Sequence, residues 1–187
     1  MTRSTPPPRR RQGPDDGTLE VFAADEQDAE PVDPGRWSDL ARAVLEAKGV
    51  RGDAELSLLF VDEATMAGLN QRFMGEDGPT DVLAFPIDEG WSEPGRWPDA
   101  GTTGPDREPL EPADAPILLG DVVICPAVAR RNAGEHGVTY EDELALLVVH
   151  GVLHVLGQDH AEPDEAAAMQ AEESDLLARF HRGEGDG

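Results

Sequence analysis

The chain has 187 residues, a length that suits one domain with a full hydrophobic core. It carries 39 acidic and 15 basic side chains, a formal net charge of -24 at pH 7, which argues against binding nucleic acid through bulk attraction. The single cysteine, Cys125, excludes an internal disulfide and a zinc site built from several cysteines.

The N-terminal segment mixes Pro, Arg and acidic side chains without apolar periodicity, which predicts a disordered tail over residues 1–17. It lacks the apolar run of a signal peptide, and no apolar stretch reaches the roughly 18 residues that a membrane span needs. We therefore expect a cytoplasmic protein without membrane contact. One domain is expected over residues 18–181, with a second disordered tail over 182–187.

The first half of the domain alternates apolar runs, typical of buried strands, with amphipathic stretches, typical of helices. The predicted elements are a strand from Thr18 to Ala24, a helix from Pro34 to Gly49, a strand from Glu55 to Asp62, a helix after Asp62, and strands from Asp81 to Ile87 and from Ile117 to Pro126. Asp62 can cap the second helix. Residues 88–116, rich in Pro, Gly and acidic side chains, form a loop of uncommon length, which we interpret as a surface insertion rather than a functional loop.

Three helices follow the last strand. They are predicted over Pro126–Glu135, Thr139–Leu156 and Pro163–Phe180. The middle helix begins with Thr139, a suitable cap, and its centre, LALLVV, is apolar on all sides, so it is expected to be buried. This order of elements predicts an α/β (α+β) fold in which helices pack around a mixed sheet of about four strands, with a buried central helix.

The central helix ends in HGVLHVLGQDH, which holds three of the five histidines of the chain. His150 and His154 lie four positions apart, so they project from one face of a helix. Gly157 can end the helix in a left-handed turn that brings His160 back toward them. Three imidazoles can bind one zinc ion and leave its fourth position to water, as in catalytic sites. The alternative is a set of ordinary histidines satisfied within the core.

A related metallopeptidase motif, HExxH, places its glutamate base directly after the first histidine. Here that position is Gly151, so a zinc peptidase is the least favoured function. His136 and His181 lie outside the spacing of the histidine motif, and neither is assigned a role.

HGVLHVLGQDH resembles the HGxLHLxGyDH signature of the YbeY family of endoribonucleases. Two further blocks of the family are similar and fall in the same order, LNQRFMGEDGPTDVLAFP at 69–86 and LLGDVVICPAVARRNA at 118–133. The resemblance implies a mixed sheet with surrounding helices, and one zinc ion held by His150, His154 and His160. It also implies a single-strand-specific endoribonuclease that acts in ribosomal RNA maturation at the 16S 3′ end and in ribosome quality control. The expected partners are ribosomal RNA and the small ribosomal subunit, not DNA.

The chain departs from the family pattern at two places. Where relatives commonly have an arginine thought to help hold RNA phosphate, this sequence has Met74, and Arg72, Arg130 or Arg131 are the candidates to replace it. The segment over 88–116 is the second departure, because most relatives connect these strands more briefly.

Asp81 and Asp159 are the candidates for a catalytic carboxylate. Asp81 follows Thr80 in the PTD block, where it either fixes the start of a strand or forms a wall of the substrate cleft. Asp159 precedes His160 and either orients a histidine, the favoured role, or accepts a proton from metal-bound water. The attacking group, water or the RNA 2′-hydroxyl, stays open.

Two functions of different classes follow from these observations. The first is a zinc-dependent endoribonuclease, and the second is a ribosome-assembly binding factor whose metal mainly stabilises the fold. Comparing RNA cleavage by the protein and by its His154→Ala variant separates them. In either case the few basic side chains predict that RNA binding weakens only gently with added salt.

Overall fold

The computed structural model describes residues 17–87, 116–158 and 163–183. The predicted tails over 1–17 and 182–187 and the predicted insertion over 88–116 lie outside these ranges, except for residues 17, 116, 182 and 183. Asp159 and His160 also lie outside them. The elements in chain order are β1 Leu19–Asp25, α1 Pro34–Ala47, β2 Ala54–Phe60, α2 Glu63–Met74, β3 Val82–Pro86, β4 Ile117–Ile124, α3 Pro126–His136, α4 Tyr140–Val155 and α5 Pro163–Phe180. The predicted combination of a four-stranded mixed sheet with packed helices is confirmed.

The four strands form one sheet in the order β1-β2-β4-β3. β1, β2 and β4 run parallel, and β3 runs antiparallel to β4 at the edge of the sheet. The end of β4 is buried on both faces, in agreement with its continuous apolar run, whereas β2 alternates buried and partly exposed residues. The edge strand β3 is left with one side open to a cleft.

Two hydrophobic clusters lie on opposite faces of the sheet. The larger one joins α1, α4 and α5 to the side chains of β2 and β4 that include Leu56, Leu58 and Val122. The smaller one packs Met66 of α2 against Val123 of β4 on the other face. Because side chains alternate along a strand, neighbouring residues of β4 belong to different clusters.

Helix α4 is the central helix of the larger cluster. Eleven of its sixteen residues are buried, including residues on every side of the helix, as the apolar LALLVV centre predicts. Its start is capped by Thr139, whose hydroxyl accepts a hydrogen bond from the backbone N–H of Asp142 at 3.0 Å. Its end is the left-handed turn expected at Gly157, with a φ of 86°. Among the described residues, no helix combines the length and apolar character needed to cross a membrane.

Candidate functional site

The side chains of His150 and His154 meet on one face of α4. Their Nε2 atoms lie 3.0 Å apart and their ring centroids 4.4 Å apart. Two imidazole ligands of a tetrahedral zinc, each about 2.05 Å from the ion, have nitrogens separated by about 3.3 Å. The pair therefore fits two positions of a zinc site. Within the described ranges no group of three metal-binding side chains is present, and the predicted third ligand, His160, lies outside them.

The two histidines line a cleft of about 520 Å³ between α4 and the edge strand β3. The facing wall is formed by apolar side chains of β3 and by the end of α2. The residues that line the cleft are Met74, Val82, Leu83, Ala84, Pro86, His150, Gly151, His154, Gly157 and Gln158. Among the described residues, the polar side chains of this lining are the two imidazoles and the Gln158 amide, opposite an apolar wall.

Glu173 of α5 is a site residue that the sequence interpretation missed. Its Oε1 lies 2.5 Å from Nδ1 of His150, and its side chain is only 9% exposed. A signal for it exists in the sequence, because Glu173 stands within the apolar stripe that α5 forms with Met169, Leu176 and Leu177. A carboxylate in the buried stripe of a helix requires a polar partner, and His150 is that partner.

A second acidic residue of α5 holds the turn that follows α4. Glu172 accepts hydrogen bonds from the ammonium group of Lys48 and, at 2.8 Å, from the side-chain amide of Gln158. These two hydrogen bonds hold the pKa of Glu172 below its usual value, and the one from Lys48 has the larger effect. This hydrogen bond holds Gln158 at the rim of the cleft. Gln158 is the last described residue before 159–162.

Asp81 lies at the start of β3, with its side chain directed to neighbouring polar groups. Its carboxylate accepts hydrogen bonds from the backbone N–H of Val82 at 2.8 Å and from the amide of Asn132 at 3.0 Å. The hydroxyl of Thr80 donates to the same carboxylate at 3.2 Å. These contacts match the role of fixing the strand start, and Asp81 is not among the residues that line the cleft.

The three candidate arginines lie away from the lining of the cleft. Arg130 pairs with Glu30 at 2.8 Å and stacks over the ring of Tyr140, and Arg131 pairs with Glu63 at 2.7 Å. Each guanidinium is therefore already paired with one carboxylate, although both side chains are about half exposed. Arg72 is exposed, with its guanidinium carbon 5.2 Å from the centre of the Phe73 ring.

The remaining two histidines are each held by a carboxylate outside the cleft. His136 Nδ1 lies 3.0 Å from Oε2 of the buried Glu143, and this hydrogen bond is the main cause that raises the pKa of His136. His181 Nε2 lies 2.9 Å from Oδ1 of Asp142. Neither residue lines the cleft, and within the described ranges neither forms a group of three metal-binding side chains with His150 and His154.

Fold and site together define an α/β protein in which two adjacent histidines of a buried helix face the edge strand of a mixed sheet across a cleft. Residues 22–181 match the sequence model of the family described as Endoribonuclease YbeY, and the chain belongs to that family.

Relatives named Endoribonuclease YbeY are similar over most of the chain. The protein from Acidothermus cellulolyticus is 51% identical over 149 residues, which cover 80% of this chain and 84% of the relative. The protein from Salinispora tropica is 48% identical over 162 residues, or 87% of this chain and 96% of the relative. The solution structure of TM1509 from Thermotoga maritima is 24% identical, covers 91% of this chain and 97% of its own, and superposes with a TM-score of 0.51, which supports the fold.

Proposed function

We propose that this protein is a zinc-dependent endoribonuclease that cuts single-stranded RNA. The observation that carries the proposal is the 3.0 Å approach of the His150 and His154 Nε2 atoms at the wall of a cleft, in a chain that belongs to the YbeY family. Relatives that are up to 51% identical carry the name endoribonuclease, which supports RNA as the substrate.

The metal ion would be held by His150, His154 and His160. Neutral imidazole nitrogens are preferred ligands of zinc, and three of them leave the full positive charge of the ion available to an anionic substrate. When bound, zinc lowers the pKa of coordinated water and offsets negative charge on a phosphate oxygen. A local cation of this kind explains how a chain with a net charge of -24 can act on a polyanion.

The cleft favours an unpaired strand over a duplex. Its wall of Val82, Ala84 and Pro86 is apolar and offers a surface to the face of a base that is not stacked on its neighbours. The half-exposed Met74 extends this wall with a polarizable thioether where relatives commonly carry a cation. Recognition therefore relies on bases and on the metal site more than on a row of arginines.

We assign the site to ribosomal RNA maturation at the 16S 3′ end and to ribosome quality control, with the small ribosomal subunit as partner and the cytoplasm as location. Membership of the YbeY family supports this assignment. Attack by water and attack by the 2′-hydroxyl differ in their products, since only the second leaves a 2′,3′-cyclic phosphate. Analysis of the product ends distinguishes the two routes.

The experiment compares the zinc-loaded protein with its His154→Ala variant on a labelled oligonucleotide from the 16S 3′ end, single-stranded and as a duplex. We expect the wild type to cut the single strand, and the variant to lose both bound zinc and cleavage while its circular dichroism is unchanged. His136→Gln serves as the matched control, because His136 lies outside the cleft and is expected to leave cleavage intact. Equal cleavage by wild type and His154→Ala would contradict the proposal and favour the ribosome-assembly binding factor.

A further inference from the structure

We propose that Glu173 is a positioning residue that fixes His150 in the tautomer whose Nε2 lone pair faces His154 and the cleft. The inference rests on the proposed function in one respect, the assignment of His150 as a zinc ligand. It adds to that function a residue from a different helix, Glu173 of α5, which acts on the ligand rather than on the RNA.

The direction of the hydrogen bond determines the tautomer. A carboxylate can only accept, so at 2.5 Å from Oε1 of Glu173 the Nδ1 of His150 must carry a proton. In the neutral ring the proton-free nitrogen is then Nε2, the atom that lies 3.0 Å from Nε2 of His154. Glu173 therefore leaves the metal-binding lone pair on the side of the cleft.

Glu173 is a buried carboxylate at a position of α5 where an apolar side chain would also pack. Its neighbours on the same stripe of α5 are Met169, Leu176 and Leu177, all buried. Burying a carboxylate costs free energy that one hydrogen bond to a neutral ring offsets only in part, and an apolar residue of similar size avoids that cost. A buried carboxylate aimed at a candidate ligand is the pattern of a functional residue.

The geometry also restricts how His150 can move. Its ring is 27% exposed, and the hydrogen bond to Glu173 limits the orientations that the ring can take. Glu173 lies on α5, which packs on α4, and it accepts a hydrogen bond from Nδ1 of His150, the nitrogen on the side away from the cleft. Partners of this kind orient metal-bound histidines, and losing one typically weakens metal binding by about 10- to 100-fold.

The test uses Glu173→Met, Glu173→Gln and the control Asp175→Asn. Methionine removes the acceptor but suits a buried apolar stripe, whereas glutamine can still accept through its amide oxygen. Asp175 is an exposed carboxylate of the same helix whose ion pair with Arg179 is also exposed, so its variant removes one negative charge from α5 without changing the partner of His150. Three quantities are measured: the His150 tautomer by ¹⁵N NMR of the metal-free protein, zinc affinity by competition with a chelator, and the temperature of thermal unfolding.

For Glu173→Met we expect a mixture of His150 tautomers, zinc affinity reduced by about 10- to 100-fold, and only a small change in unfolding temperature, because removing the buried charge offsets the acceptor that His150 Nδ1 loses. Glu173→Gln is expected to keep the tautomer and a larger part of the affinity, and Asp175→Asn to match the wild type. An unchanged tautomer in Glu173→Met would overturn the proposal. So would a lower unfolding temperature with unchanged zinc affinity, because that result assigns Glu173 to stability. If the wild type binds no zinc, the zinc-dependent function is contradicted. The tautomer measured in the metal-free protein then still tests whether Glu173 positions His150.

Discussion

Gly151 of α4 lies directly against Val122 of β4. A Cβ atom built on Gly151 would stand 2.5 Å from Cγ1 of Val122, whose side chain is fully buried. Glycine inside a helix costs about 1 kcal/mol relative to alanine, so its presence here requires a reason, and the close approach of helix to sheet supplies it. The same contact explains why the glutamate of the HExxH motif is missing, because a side chain at this position would point into the sheet.

We predict that Gly151→Ala destabilises the protein by about 1–3 kcal/mol, the usual cost of inserting a methyl group into a packed core. Urea unfolding followed by circular dichroism measures the change. Val122→Ala provides the control, since it clears the space that the new methyl group needs. In a double-mutant cycle the combined variant should be more stable than the sum of the single changes predicts. Strict additivity would mean that the two positions do not touch.

The local elements of this fold could be predicted from the sequence because they depend on neighbouring residues. The cap at Thr139, the left-handed Gly157 and the helical spacing of His150 and His154 are all local patterns, and all are present in the structure. The link between His150 and Glu173 could not be predicted in the same way. It spans 23 residues and depends on how α5 packs on α4.

The distribution of charge along the sequence does not predict which carboxylates the candidate arginines pair with. Arg130 and Arg131 are candidates for RNA contact because the family's arginine is replaced by Met74. In the folded chain Arg130 pairs with Glu30, a residue 100 positions away, and Arg131 pairs with Glu63. These pairs join α3 to the segment before α1 and to α2, so composition alone does not reveal which partner each cation has.

The cap of α4 gives a prediction on stability. We expect Thr139→Ala to lower the free energy of unfolding by about 1 kcal/mol, because the backbone N–H of Asp142 loses its acceptor. Thr139→Ser keeps the hydroxyl and should stay near the wild type. Urea unfolding of the three proteins at one pH tests this expectation. A serine variant as unstable as the alanine variant would show that the methyl group of Thr139, not its hydroxyl, supports the helix.

Met74 gives a prediction on RNA binding. Its side chain is 51% exposed at the rim of the cleft, so an arginine there can be accommodated without disturbing the core. We expect Met74→Arg to bind single-stranded RNA more tightly at low salt. The slope of log K against log salt should steepen by about 0.7, the value for one additional phosphate contact.

Fluorescence anisotropy at several salt concentrations measures this slope, with Met74→Leu as the apolar control. The wild type itself should show a shallow slope, equivalent to a few phosphate contacts. An unchanged slope in Met74→Arg would show that the RNA backbone does not pass position 74. A wild-type slope that corresponds to about ten neutralised phosphates would contradict recognition through bases and the metal site.

The pair of His136 and Glu143 gives a prediction on pH dependence. The hydrogen bond to the buried Glu143 raises the pKa of His136 above its ordinary value of 6.5. A group whose pKa is higher in the folded state binds its proton more tightly there, so its protonation stabilises the fold. This contribution is fully present below the unfolded value of 6.5 and is lost as the pH rises through the higher folded pKa.

We therefore expect the difference in unfolding free energy between the wild type and His136→Gln to be largest below pH 6.5 and to shrink as the pH rises above that value. Glutamine can donate to Glu143 but does not titrate, so groups outside this pair contribute equally to both proteins. The comparison is made by urea unfolding in the presence of a chelator, so that metal binding does not contribute to the difference in unfolding free energy. A difference that is constant over this range, or that grows with pH, would show that His136 gains no proton affinity from Glu143 on folding.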